Sequence, residues 1–307
     1  MIGNTPMCKI TYKYNNKIDS IYAKLEYYNY SGSIKDRIIK HILDNNNFSK
    51  GDTLVEATSG NTGISLSALG SLYGYKTVVF IPKQASKERI NLMKLYGSKV
   101  IITENFKEAI DGAYNYAKQN NAHLIDQFNN KLNIEAHYKT TGPEIYSSIP
   151  NIGAFISGIG TGGTLMGISN YLKDQDENIL SIALEPSNMP LLTSNKIIGP
   201  HKIEGIGDDF IPSLVDKNKI DKVILVDDND AVNMSRLLSK KLGLGVGISS
   251  GANFIVSVLT KNEMNKNVVT VFADDSKKYL STDLSLDIDL NNHFISNQIE
   301  LLELTII

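Results

Sequence analysis

The chain has 307 residues, 42% hydrophobic and 21% charged, a balance that fits a folded globular protein and excludes a disordered or fibrous one. Its 31 basic and 33 acidic residues leave a net charge of −2 with no basic stripe, which argues against a nucleic-acid partner. The lone cysteine, Cys8, has no partner for an internal disulfide, the histidines lack zinc spacing so no metal is expected, and neither a signal peptide nor a long apolar run appears. A cytoplasmic protein without membrane attachment is expected, and its length favours two lobes with a cleft between them.

In chain order, the first candidate for chemistry is YNYSGSIKDRIIKHIL. Ser33 followed three residues later by Asp36 reads as a capping box, and Ile38, Ile39, Ile42 and Leu43 supply one helical face. Lys35 then falls in the first turn of a helix, where the dipole disfavours a cation and favours the neutral amine that Schiff-base chemistry requires. Taken alone, such a lysine is more often an exposed side chain.

TLVEA (53–57), the helical spacing of Ile64, Leu66, Leu69 and Leu72, and KTVVFIP (76–82) set up a βαβ rhythm. The turn between them, TSGNTG (58–63), pairs flexible glycines with a helix start, a combination suited to a carboxylate or phosphate, although plain turns share its composition. The alternation returns in VIIT (100–103), HLI (123–125), AFISG (154–158), LSIALE (180–185), KVILVD (222–227) and NVVTVFAD (267–274). An α/β fold with mostly parallel twisted sheets, covered by helices on both faces, is predicted.

AFISGIGTGGTLMG (154–167) places Gly160, Thr161, Gly162, Gly163 and Thr164 where backbone amides and hydroxyls wrap a phosphate. Gly158, Gly160 and Gly163 also satisfy GxGxxG, with Glu185 ending the next strand, so this segment read alone indicates NAD. Residues 186–212 form a long irregular connection of the kind that tends to be functional. In GVGISSGANF (245–254), Ser249 and Ser250 either cap a helix or hydrogen-bond a ring nitrogen. Beyond residue 281 the pattern weakens into a final strand or a short helix.

In this order, IGNTP, IYAKLE, GSIKDRI, GDTLVEATSGNTG, DQFNN, HYKTTGPEI, GIGTGGT, GPHKIEGIG, FIP and GISSG resemble the cysteine synthase (O-acetylserine sulfhydrylase) and cystathionine β-synthase family of pyridoxal phosphate enzymes, over residues 2 to 282. The resemblance implies the two-lobed, three-layer fold type II (tryptophan synthase β-like). Residues 35–130 would form a smaller mobile substrate domain, and residues 1–34 with 131–307 a larger cofactor domain. It implies that Lys35 carries pyridoxal 5'-phosphate as an imine, that Asn61 meets the ring hydroxyl, that the loop from Gly160 to Thr164 holds the phosphate, and that Ser249 faces the pyridine nitrogen. Thr58, Ser59, Gly60, Thr62, Gln127 and Gly205 would contact the substrate. A serine cannot keep the ring nitrogen protonated, which favours elimination over long-lived carbanions. The implied activity is β-replacement, making L-cysteine from O-acetyl-L-serine and sulfide in a homodimer.

Three segments depart from the family pattern. NYSGS replaces an asparagine-proline-glycine-glycine-serine turn, and DDSKKY replaces serine-glycine-glutamate-arginine-tyrosine. Asp208 and Asp209 stand where cysteine synthases carry small neutral residues, an acid at Asp209 being shared with cystathionine β-synthases. A carboxylate facing the β-carbon repels hydrosulfide yet serves as general base for water or a bulkier thiol. The alternatives are therefore cystathionine synthesis, or cysteine hydroxyl-lyase activity that yields hydrogen sulfide and L-serine from L-cysteine. The first two departures also leave open a weakly catalytic binding partner, whereas an NAD oxidoreductase leaves Lys35, TSGNTG and GISSG without a role.

Overall fold

A computed structural model describes residues 1–286 and 293–307. Its strands are β1 (Met7–Tyr14), β2 (Lys17–Leu25), β3 (Thr53–Ala57), β4 (Lys76–Pro82), β5 (Lys99–Thr103), β6 (His123–Leu124), β7 (Ile152–Gly158), β8 (Leu180–Pro186), β9 (Lys222–Val226), β10 (Asn267–Phe272) and β11 (Glu300–Ile306). The helices are α1 (Lys35–Asp44), α2 (Asn61–Tyr73), α3 (Lys87–Leu95), α4 (Phe106–Gln119), α5 (Leu132–Ala136), α6 (Gly142–Ser148), α7 (Gly163–Gln175), α8 (Leu191–Ser194), α9 (Asp228–Leu242) and α10 (Ile248–Glu263).

Two sheets result, one in the order β11-β1-β2-β10-β7-β8-β9 and one in the order β5-β4-β3-β6. All pairings are parallel except those of β1 with β2 and β11. The parallel strands are covered on both faces, which is why they read as unbroken apolar runs. On β7, Ala154 and Ile156 pack with Phe254 and Val258 of α10, while Phe155 packs with Leu165 and Ile168 of α7. In the smaller sheet, Val79 meets Ile64 and Met93, while Val78 and Phe80 meet Ala109 and Ala113.

The β1–β2 hairpin has no counterpart in the strands assigned from sequence. Its turn, Asn15 and Asn16 at φ 50° and 60°, uses the left-handed conformations that tight hairpins need and asparagine tolerates. At the other end of the chain, the final-strand expectation holds for residues 300–306, where β11 pairs antiparallel with β1. The part of that expectation covering 287–292 lies outside the described residues.

β3, β7 and β10 finish at Ala57, Gly158 and Phe272, and the residues just beyond them, Thr58, Gly160 and Ala273, line one cavity. This is where open parallel sheets collect ligands. The 186–212 connection is tied in by the Gly207 N–H, which donates to the Ile159 carbonyl at 2.8 Å, and by Ile206, which occupies the space a Cβ on Gly158 would need. Among the described residues no helix is long and apolar enough to cross a membrane.

Candidate active site

Lys35 is the first residue of α1 and lies in the cavity wall. The capping box does not form. Asp36 is buried and turns back to Ser31, accepting from its N–H at 2.7 Å and its hydroxyl at 2.5 Å, so its carboxylate closes the NYSGS turn. Ser33 Oγ instead accepts from the Lys35 N–H at 3.3 Å. The Lys35 amine is lowered to about 8, chiefly by burial, with Asp208 and Asp274 pulling the other way. Enclosure is thus the chief source of its neutral fraction.

TSGNTG crosses from β3 into α2. Thr58, Ser59, Asn61 and Thr62 line the cavity, with Gln127 beside them. Thr62 Oγ1 donates to Gln127 Oε1 at 2.5 Å while Gln127 Nε2 donates to the Ala57 carbonyl at 2.9 Å, which fixes both side chains. Gly60 does not reach the cavity as expected of a substrate contact. Its N–H is taken by Thr58 Oγ1 at 2.9 Å, and an added Cβ would lie 2.4 Å from Arg89 Cδ, so its absence makes room for Arg89.

Opposite stands the glycine-rich loop, with Gly160, Thr161, Gly162 and Thr164 in the cavity wall and α7 starting behind them. Gly162 is left-handed at φ 87°, and a Cβ on Gly160 would lie 2.4 Å from the Gly205 carbonyl oxygen. Gly163 is displaced from the wall. Its N–H points to Thr161 Oγ1 at 3.3 Å, and a Cβ there would collide with Asn133. Behind the loop, the chain between α5 and α6 widens into a π-turn over His137–Thr141 that sets His137 Nε2 3.3 Å from Thr164 Oγ1. Burial holds His137 well below its usual range, so it meets the loop as a neutral imidazole. The amides of a helix start lack intrahelical partners and attract a phosphate.

The dinucleotide reading fails on Glu185. Its carboxylate is spent on α8, accepting from Leu192 N–H at 2.8 Å, Thr193 N–H at 3.0 Å and the Thr193 hydroxyl. Ser249 lines the cavity and makes no cap for α10. Gly205, left-handed at φ 91°, also lines it.

The two neighbouring acids part company. Asp208 lines the cavity and is raised to about 6, by burial first and then by Asp209, against the pull of Lys35. Asp209 is exposed and lies outside the cavity wall, so of the two acids only Asp208 lines the cavity.

Several residues in and around the cavity had no role assigned from sequence. Arg89, 1% exposed, enters from the start of α3, pairs with Glu204 of the 186–212 connection and lies 4.6 Å over the Tyr279 ring. Asn253 of α10 accepts from Gly158 N–H at 2.9 Å and donates to the Val271 carbonyl at 2.8 Å, pinning the ends of β7 and β10 together. Asp274 and Lys278, both buried, hold the two ends of the Asn61 carboxamide. Such contacts join segments far apart in the chain and leave no local pattern.

An enclosed amine, a polar helix start and a glycine-rich loop opening a second helix, all lining one cavity, fit a pyridoxal phosphate cofactor. Residues 1–274 match the family described as pyridoxal-phosphate dependent enzyme, and the chain belongs to that family. Its cofactor is pyridoxal 5'-phosphate, and its fold is that of fold type II. The chain is 39% identical over 295 residues to a cysteine synthase of Staphylococcus aureus, covering 92% of this chain and 95% of that one. Cysteine synthase B of Campylobacter jejuni is 40% identical over 294 residues, covering 92% and 96%. Among solved structures, a hydrogen sulfide-producing enzyme from Fusobacterium nucleatum matches with a TM-score of 0.94 at 42% identity, covering 100% of this chain and 96% of that one.

Proposed function

We propose that the chain catalyses β-replacement on an amino acid, making L-cysteine from O-acetyl-L-serine and sulfide. The observation that carries this reading is the Lys35 amine, enclosed and lowered to about 8, facing the TSGNTG turn across one cavity with the glycine-rich loop. When bound, pyridoxal phosphate withdraws electrons from the substrate α-carbon and makes its proton removable. Thr58, Ser59, Thr62 and Gln127 hold the substrate carboxylate, which orients the α-proton toward Lys35. Lys35 takes that proton, acetate leaves the β-carbon with its bonding pair, hydrosulfide adds there, and Lys35 returns the proton to the α-carbon. Asn61 would meet the ring hydroxyl, Ser249 the ring nitrogen and the loop from Gly160 to Thr164 the phosphate. Residues 35–130 act as the mobile unit that closes over the substrate and excludes water, and the working form is a homodimer.

Asp208 favours a second nucleophile. Raised to about 6, it remains largely ionised at neutral pH and stands beside the lysine, where it repels hydrosulfide and accepts a proton from water. That gives L-serine and hydrogen sulfide from L-cysteine, in keeping with the Fusobacterium likeness. Assaying purified enzyme with O-acetylserine plus sulfide, and separately with L-cysteine alone, distinguishes the two by product. Turnover of neither substrate overturns the proposal.

A further inference from the structure

The segments that depart from the family pattern, NYSGS and DDSKKY, meet in space. Lys278 Nζ donates to the Gly32 carbonyl at 2.8 Å and to Asn61 Oδ1 at 3.0 Å. Asp274 Oδ2 accepts from Asn61 Nδ2 at 2.8 Å and from the Tyr279 hydroxyl at 2.7 Å. Both side chains are buried, Asp274 at 0% and Lys278 at 2% exposure. The seat of Asp274 is shaped for it, since a Cβ on Gly247 would lie 2.1 Å from Asp274 Oδ1.

An asparagine carboxamide can flip end for end, exchanging donor and acceptor. With a cation on its oxygen and a carboxylate on its nitrogen, the Asn61 amide has one favourable orientation, which leaves its second N–H free. Lys278 also fixes Gly32, three residues before Lys35, so one ammonium registers the approach to the reactive amine against the start of α2.

We propose that Asp274 and Lys278 are positioning residues that lock the orientation of Asn61 toward the cofactor ring. This rests on the proposed function, because Asn61 is there the partner of the ring hydroxyl.

The test is a double-mutant cycle on the holoenzyme, with Lys278→Met and Asn61→Ala singly and together, read by kcat, KM and the absorbance maximum of the bound cofactor. Removing a charged hydrogen bond lowers kcat by about tenfold, and Lys278→Met is expected to do so with little change in KM and a shifted absorbance maximum. In the Asn61→Ala background it should add almost nothing, because its effect runs through Asn61. Lys278→Arg should restore most of the loss. Asp274→Asn, which keeps the shape and loses the charge, gives the same readouts if Lys278→Met fails to fold, and cofactor dissociation from each variant supplies a measure independent of turnover. Additive losses, or an unshifted absorbance with only a lower melting temperature, would overturn this positioning role. Borohydride trapping of the cofactor on Lys35 in every variant keeps that failure separate from failure of the proposed function.

Discussion

Asp208 and Asp209 differ by one position and stand in opposite environments, so they make opposite predictions. Asp208→Asn should lower production of hydrogen sulfide from L-cysteine by about 10²- to 10⁴-fold, the usual range for a lost general base, while Asp209→Asn leaves it near the parent. The wild-type rate should rise with pH through about 6 as Asp208 ionises, and that limb should vanish in the asparagine variant. Equal effects of the two substitutions on the pH profile would contradict this assignment. Cys8 is buried and pushed up to about 12, chiefly by its burial, so thiol reagents should leave the native enzyme unmodified and label it only after denaturation. Lys35 stood out in the sequence as an amine in the first turn of a helix, whereas Asn61 was singled out only through the family resemblance of TSGNTG. Asp274 was not, because its partner Asn61 lies 213 residues away.

The elements that carry the site are anchored by a buried ion cluster. Arg37, two residues after Lys35 on α1, bonds Glu26 at 2.6 and 2.8 Å and Glu144 of α6 at 2.7 Å through each of two nitrogens, and Lys24 of β2 also meets Glu144 at 2.8 Å. This explains why IYAKLE, GSIKDRI and HYKTTGPEI occur together, which their separate sequences could not reveal. Leaving one partner of a buried pair uncompensated costs about 3–5 kcal/mol, so Arg37→Met should lower unfolding stability by that order, measured by chemical denaturation. Burial opposes the charge of Glu144, yet Arg37 and Lys24 hold its carboxyl down to about 2 from an ordinary 4.5. The resulting stabilisation is full above pH 4.5 and is lost as pH falls toward 2. A stability profile flat across that window would contradict it. The parallel strands were readable because burial on both faces writes apolar runs into the sequence. The β1–β2 hairpin is weakly marked in the sequence: Lys9, Ile10, Thr11 and Tyr12 alternate before an Asn-Asn turn, but no glycine marks the turn.

At the scale of the whole molecule, β11 and β1 carry the chain's two ends to one edge of the larger sheet. Deleting 294–307 would expose the backbone edge of β1, whose Met7, Cys8, Ile10 and Tyr12 are buried, so the truncated protein should aggregate while the parent remains dispersed, as light scattering would report. The alternation of strands and helices conveyed the α/β class but not the strand order, because which edge receives the final strand depends on contacts nearly 300 residues apart. Every step of the proposed chemistry depends on Lys35 as the attachment point of the cofactor. Borohydride reduction of the purified enzyme, followed by proteolysis and mass spectrometry, should find a pyridoxyl phosphate adduct on Lys35 and none in Lys35→Ala; an adduct on another lysine, or none at all, would contradict it.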